Sequence, residues 1–205
     1  MLVEVFIKKP SQNPKLVKMK NISNDQKPIA ALATGSVNGA IAIIRLSGQD
    51  THRLLNKALI FSSTTPLKMM QMKRASFVNP ESNLELDDIL TVFFQAPRSF
   101  TGQESAELYF HASPYVISKA LKTLYSLGFQ AAKPGEFTRR AFLNGKLDLT
   151  QAEGIHELIT AQTEGEWQAA QELSSGRLKK LTEELRSELM KSMAMIEARI
   201  DFPDE

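Results

Sequence analysis

The sequence predicts an α+β fold: a mixed sheet with helices against it, followed by long helices. Three observations carry this. Short apolar and β-branched runs recur through the first two thirds of the chain without the regular strand-helix alternation of a wholly parallel sheet. Two of them, residues 70–78 and 89–95, flank an Asn-Pro-Glu-Ser-Asn segment, which predicts an antiparallel hairpin. From Thr150 onward the apolar residues fall at helical spacing almost to the end.

The elements follow in order. Residues 29–33 and 40–46 read as two strands joined by Thr-Gly-Ser-Val-Asn-Gly. Arg45 interrupts the second. Either it points outward at the strand end, or it lies under a ligand whose carboxylate it grips bidentately. Residues 47–50 cap a short helix that carries Leu54, Leu55, Ala58 and Leu59 on one face. After a polar Ser/Thr loop comes the hairpin. Asp87-Asp88 lies in it with no further ligand at metal spacing, so a solvated strand entrance is expected.

Residues 97–102 form a loop with Ser99, Phe100 and Thr101. Next, residues 106–111 alternate as a half-buried strand, with Ala106, Leu108 and Phe110 on one face and Glu107, Tyr109 and His111 on the other. Glu107 thus shares a face with two aromatic groups. Ser113-Pro114 starts a helix as N-cap and first residue, carrying Ile117, Ala120, Leu121 and Leu124 and ending at Gly128. Residues 129–132 make one more short strand.

The stretch from Pro134 to Glu153 organises the rest of the chain. Pro134-Gly135 is a turn signal, and residues 136–143 form a short helix with Phe137, Ala141 and Phe142 at neighbouring positions and Arg139 and Arg140 toward solvent. Asn144-Gly145 stops it. Thr150 and Glu153 have capping-box spacing for a longer helix, which leaves Lys146 in a tight connector between helices. Ile155, Leu158 and Ile159 make one stripe, continued by Leu173. A second runs through Leu178, Leu181, Leu185, Leu189, Met193, Ile196 and Ile200, with a break at Gly165 or at Ser174-Ser175-Gly176. Such helices need the α+β domain, each other or another chain to cover them.

Composition excludes several functions. The chain has 205 residues, of which 42% are hydrophobic and 23% charged. Those shares are ordinary for a soluble protein. No apolar run nears the roughly 20 residues that a membrane span needs. Without cysteine the chain carries no disulfide, thiolate metal site or thiol nucleophile. A net charge of +2 names no partner. Residues 1–27 hold six lysines (8, 9, 15, 18, 20 and 27) against Glu4 and Asp25, with no helical period, and are expected to be a disordered or loosely attached arm, with Met19 as the natural start. Gly145-Lys146 resembles the tail of a phosphate-binding loop but lacks its earlier glycine and its Ser/Thr. No Gly-x-Ser-x-Gly motif occurs, and His52, His111 and His156 are isolated in sequence. There remain Arg45, Glu107 and Lys146, each near an element end, with Tyr109, Phe100 and Phe110 as stacking or packing groups. Glu107 reads plainly as part of an exposed sheet face and Lys146 as a solvated loop lysine; taken together, the trio reads instead as a site for an anionic heteroaromatic ligand.

Five segments carry a resemblance. Ile-Ala-Ala-Leu-Ala-Thr (29–34), Ile-Arg-Leu-Ser-Gly (44–48), Ser-Phe-Thr-Gly (99–102), the block from Pro134 to Glu153 and Ile-Asp-Phe-Pro-Asp-Glu (200–205) closely resemble the N-terminal region of the MnmE (TrmE) tRNA-modification GTPases, in family order over residues 28–205. The resemblance implies a tetrahydrofolate-binding-like α+β domain over 28–148. The first part of a helical domain then covers 149–205, ending before the inserted GTPase domain. It implies binding of 5-formyltetrahydrofolate or another tetrahydrofolate at Arg45, Glu107 and Lys146, with no catalytic residue and no metal ligand in this chain. GTP, magnesium and potassium would belong to the GTPase domain alone.

It further implies a cytoplasmic homodimer that works with an MnmG (GidA)-like flavoprotein on the wobble uridine of tRNA, with neither membrane nor DNA as partner. The family's Gly-Arg-Gly-Gly turn is here Ser36-Val-Asn-Gly39, its His-Gly-Gly is His111-Ala-Ser113, and its Gly-Glu-Asp is Gly102-Gln-Glu104. These added Cβ atoms keep a second reading open, a non-catalytic dimerisation remnant that has lost its ligand. Family members also carry a C-terminal cysteine motif, which this chain lacks.

Overall fold

The computed structural model describes residues 26–35, 39–62 and 69–201. The expected arm and the Met19 start fall on residues 1–25, outside the described residues, as do Ser36 to Asn38 of the altered turn. Gln26 and Lys27 are described: the Gln26 carbonyl accepts the Gln49 amide at 2.8 Å and the Lys27 carbonyl accepts Arg140 Nη1 at 2.8 Å.

Among the described residues seven strands build one sheet: β1 (Ile29–Leu32), β2 (Ile41–Ser47), β3 (Leu59–Phe61), β4 (Lys73–Asn79), β5 (Leu84–Phe94), β6 (Ser105–His111) and β7 (Gln130–Ala131). Their spatial order is β3-β4-β5-β6-β2-β1-β7. Among the described residues only the β1/β7 pair is parallel, so the sheet is mixed as the sequence predicts. The hairpin is β4/β5, and β5 begins at Leu84 rather than at the expected Ile89. Glu85, Asp87 and Asp88 hide its entrance in the sequence, yet the backbone keeps pairing past a register shift at Phe77/Val78.

A second correction concerns Leu59. The helix α1 (Thr51–Leu55) ends sooner than its apolar spacing suggests, and Leu59 instead opens β3, opposite Phe77. Leu59 is buried either way, so local pattern did not separate the two outcomes.

One sheet face packs under α2 (Pro114–Ser126), with Ile44, Phe77, Phe93, Leu108, Ile117 and Leu124 in the core. Ser113 occupies the N-cap and Pro114 the first turn, although the Ser113 side chain makes no capping bond. Phe110 lies in this core, edge-on to Phe77 with ring centroids 5.1 Å apart, which removes it from the candidate ligand face. The opposite face carries Arg45, Glu107 and Tyr109, all half-buried.

The chain then forms α3 (Glu136–Leu143), α4 (Leu149–Thr160), α5 (Glu164–Ser174) and α6 (Arg177–Asp201). The capping box of α4 is Asp148 with Gln151, not Thr150 with Glu153: Asp148 Oδ1 accepts the Gln151 amide at 2.8 Å and Gln151 Oε1 accepts the Asp148 amide at 3.1 Å. Both pairs have the same spacing, and the extended backbone that a cap requires falls at Asp148. Gly165 lies inside α5. The first break precedes it and is capped by Thr163, and the second comes at Ser175-Gly176, as one of the expected alternatives had it. Helices α4 and α5 approach closely because Gly154 has no side chain: a Cβ there would stand 2.6 Å from the Ser174 amide nitrogen. The expected stripes are poorly covered. Ile159 is 77% exposed, and no residue of α6 is buried.

Candidate ligand cleft

Arg45 and Glu107 are register partners across the antiparallel β2/β6 pair. That register places both side chains on one face, close enough for direct pairing. Arg45 Nε donates to Glu107 Oε1 at 3.0 Å and Nη2 lies 2.9 Å from the same oxygen. Tyr109, two residues along β6, donates its hydroxyl to Glu107 Oε2 at 3.0 Å. Burial, and then this bond to a carboxylate, push the Tyr109 hydroxyl pKa above its ordinary value.

Two aromatic rings flank the pair from outside the sheet. The Arg45 guanidinium lies 5.6 Å from the Phe100 ring centroid and 6.0 Å from that of Phe137. Both distances fall within cation-π range. Phe100 comes from the loop between β5 and β6, and Phe137 from the first turn of α3. The aromatic neighbours expected on the strand itself behave differently. Tyr109 orients the carboxylate, whereas His111 Nδ1 lies 2.7 Å from Asp87 Oδ1 and its amide donates to Asp87 Oδ2 at 2.8 Å. Asp88 pairs with Arg74, so neither aspartate is merely solvated. Among the described residues no cluster of three or more His, Asp or Glu side chains forms a metal site.

Lys146 contacts the loop that carries Phe100, not the Arg45-Glu107 pair itself. The α3 helix closes with the Lys146 amide on the Ala141 carbonyl at 2.9 Å, and the Lys146 ammonium donates to the Pro97 carbonyl at 3.3 Å. Asn144 Nδ2 donates to the Thr101 carbonyl at 2.7 Å. Gly102 makes the approach possible. It holds φ at +75°, and a Cβ there would press on Lys146 Cγ at 3.2 Å and Asn144 Cβ at 3.3 Å. Glycine alone adopts that backbone without steric cost. Arg45 and Glu107 therefore meet directly, while Lys146 meets the loop that carries Phe100.

Beneath the loop lies a buried polar network that sequence reasoning missed. Ser47 Oγ is 2.6 Å from Thr101 Oγ1 and donates to Gln103 Oε1 at 3.3 Å, and Ser105 Oγ donates to Ser47 Oγ at 3.2 Å. Arg140 completes it. Far from facing solvent, it is 1% exposed, because its guanidinium reaches under the loop to carbonyl groups at the sheet end. Its i,i+4 relation to Glu136 was the one available signal. Arg139, its neighbour, is exposed as expected.

A separate apolar groove of about 730 Å³ lies between α5 and α6, lined by Leu173, Leu178 and Leu181 among others. It contains none of Arg45, Glu107 and Lys146. Among the described residues no helix is long and apolar enough to cross a membrane.

Fold and site together define a class: a mixed-sheet α+β domain with a charged, aromatic-flanked sheet face, joined to a helical domain. Comparison with known proteins narrows it. Residues 28–146 match the family described as GTP-binding protein TrmE N-terminus, and residues 149–205 match the MnmE helical domain. The chain is 43% identical over 179 residues to the tRNA modification GTPase MnmE of Natranaerobius thermophilus, covering 86% of this chain and 39% of that protein. It is 44% identical over 178 residues to that of Parvibaculum lavamentivorans, with 86% and 40% covered. With that of Thermotoga maritima it shares 38% over 177 residues, with 86% and 38% covered. The chain belongs to the MnmE (TrmE) family of tRNA modification GTPases. It spans about two fifths of the length of these curated relatives and carries the N-terminal and helical domains.

Proposed function

We propose that this chain is the tetrahydrofolate-binding and homodimerising part of a cytoplasmic tRNA wobble-uridine modification protein, with 5-formyltetrahydrofolate as the ligand of the Arg45, Glu107 and Lys146 cleft. The observation that carries the proposal is the Arg45-Glu107 pair on the sheet face, held by Tyr109 and flanked by Phe100 and Phe137.

The donor set fits a reduced pterin. Among the described residues each carboxylate oxygen of Glu107 has one partner group, so lone pairs remain to accept paired N–H groups from an aminopyrimidine edge. Arg45 directs two of its nitrogens at Glu107, and its Nη1 group and the Lys146 ammonium have donor capacity left for carbonyl or glutamyl oxygens. Phe100, 40% exposed, offers a ring face at the rim. The bound folate would supply the one-carbon unit, and this chain's residues bind and orient it.

The GTPase step, with its GTP, magnesium and potassium, and the partnership with an MnmG (GidA)-like flavoprotein on tRNA belong to the same proposal for the whole protein. Calorimetry with 5-formyltetrahydrofolate tests the ligand. Light scattering of the 205-residue chain tests the dimer. A dimer with no folate heat would instead support the ligand-free dimerisation remnant.

A further inference from the structure

Arg140 is the largest fully buried side chain among the described residues, and it carries a charge. Burying a guanidinium is costly unless every face of it is bonded. Here the bonds run to four places in the chain. Nη2 and Nε donate to Glu136 Oε1 at 2.7 and 3.2 Å, and Nη1 donates to the Lys27 carbonyl at 2.8 Å, Gln103 Oε1 at 3.2 Å and the Ser47 carbonyl at 3.5 Å. These are the entry to β1, the end of β2 two residues from Arg45, the loop bearing Phe100, and the helical turn bearing Phe137.

Those segments carry the groups gathered around the Arg45-Glu107 pair. Phe100 and Phe137 approach Arg45 from the loop and from α3, and neither element is part of the sheet. Their spacing from β2 depends on whatever ties loop and helix to the sheet end. Arg140 does so with one rigid planar fork, which a lysine's single ammonium cannot reproduce.

We propose that Arg140 is the positioning residue of the cleft, fixing the 97–104 loop and α3 against the end of β2 so that the folate ligand meets a preformed site. The inference rests on the tetrahydrofolate reading for its ligand, and on the bond pattern alone for its mechanics. Preorganised walls gain affinity because the ligand does not have to order them on binding.

The test uses the whole chain with Arg140→Lys, and with Gln103→Ala as a milder variant that leaves the buried charge paired to Glu136. Two quantities are read: amide exchange across residues 98–104 relative to β4 and β5, and affinity for 5-formyltetrahydrofolate by calorimetry. Exchange in the loop at least tenfold faster, with β4 and β5 unchanged, and affinity down at least tenfold for Arg140→Lys and by a smaller factor for Gln103→Ala, is the expected result.

Wild-type loop exchange and wild-type affinity in both variants would overturn the proposal. So would faster exchange throughout the sheet with unaltered affinity of the folded protein, since that is the signature of a general stabiliser. If the wild-type chain binds no folate, the ligand reading fails by itself. Loop exchange then still decides whether Arg140 positions the walls: local acceleration supports it and its absence overturns it.

Discussion

Arg45 and Glu107 stand directly opposite one another on β2 and β6, with Nε 3.0 Å from Oε1, although 62 residues separate them in the chain. The side chains are 37% and 18% exposed. The pair is thus only partly exposed and still open to a ligand from the solvent side.

Replacing Glu107 by alanine removes the acceptor for both Arg45 and Tyr109. Loss of charge-assisted bonds to a ligand costs about 2 kcal/mol, roughly thirtyfold in affinity. Calorimetry of Glu107→Ala with 5-formyltetrahydrofolate is expected to show that loss, with the circular dichroism of the chain unchanged. Unaltered affinity would remove Glu107 from the site.

Gly102→Ala tests the seat of Lys146. The substitution puts a Cβ on a residue at φ +75° and against the Lys146 stem. A destabilisation of about 1–2 kcal/mol is expected from the left-handed backbone. For a chain of this size that lowers Tm by roughly 2–8 °C in a calorimetric scan. Weakened folate binding should accompany it, because the displaced side chain is a proposed ligand contact.

His111 gives a pH signature. Its hydrogen bond to Asp87, and then the charge of that carboxylate, raise the imidazole pKa above its ordinary value of 6.5. A raised folded value means that the pair's contribution is fully present below the unfolded pKa and is lost as pH climbs through the folded one. NMR titration should therefore place His111 above an unperturbed histidine. Asp87→Asn should bring it back toward the ordinary value and flatten the fall in stability over that interval.

The apolar stripe of α6 provides a contrast with the core. Leu189 is 65% exposed. Leu189→Lys is therefore expected to change the unfolding free energy of this chain by no more than about 0.5 kcal/mol. Phe77, by contrast, is a fully buried ring packed on Phe110. Phe77→Ala should cost about 3–5 kcal/mol. Urea denaturation of the two variants side by side measures the difference.

How much of this was legible beforehand varies by element. The alternation in β6 alone identified the inward and outward faces, since a strand has period two and nothing distant is needed to read it. The hairpin and the Pro114 helix start were equally local. Leu59 is ambiguous because one apolar residue suits a helix face or a buried strand alike. The α4 cap falls two residues before Thr150 because two pairs share its spacing.

By itself the sequence determined the α+β class, the family, and which three polar side chains merit attention, because periodicity and a twenty-residue motif survive in one dimension. Only the tertiary structure decided that Arg45 and Glu107 touch, that Phe137 reaches over from α3, and that Arg140 turns inward beneath a loop. The physical reason is that these depend on strand register and on buried hydrogen bonds between segments up to 113 residues apart. An arginine next to an arginine on a short helix looks solvated until the carbonyl groups that will receive it have been folded into place.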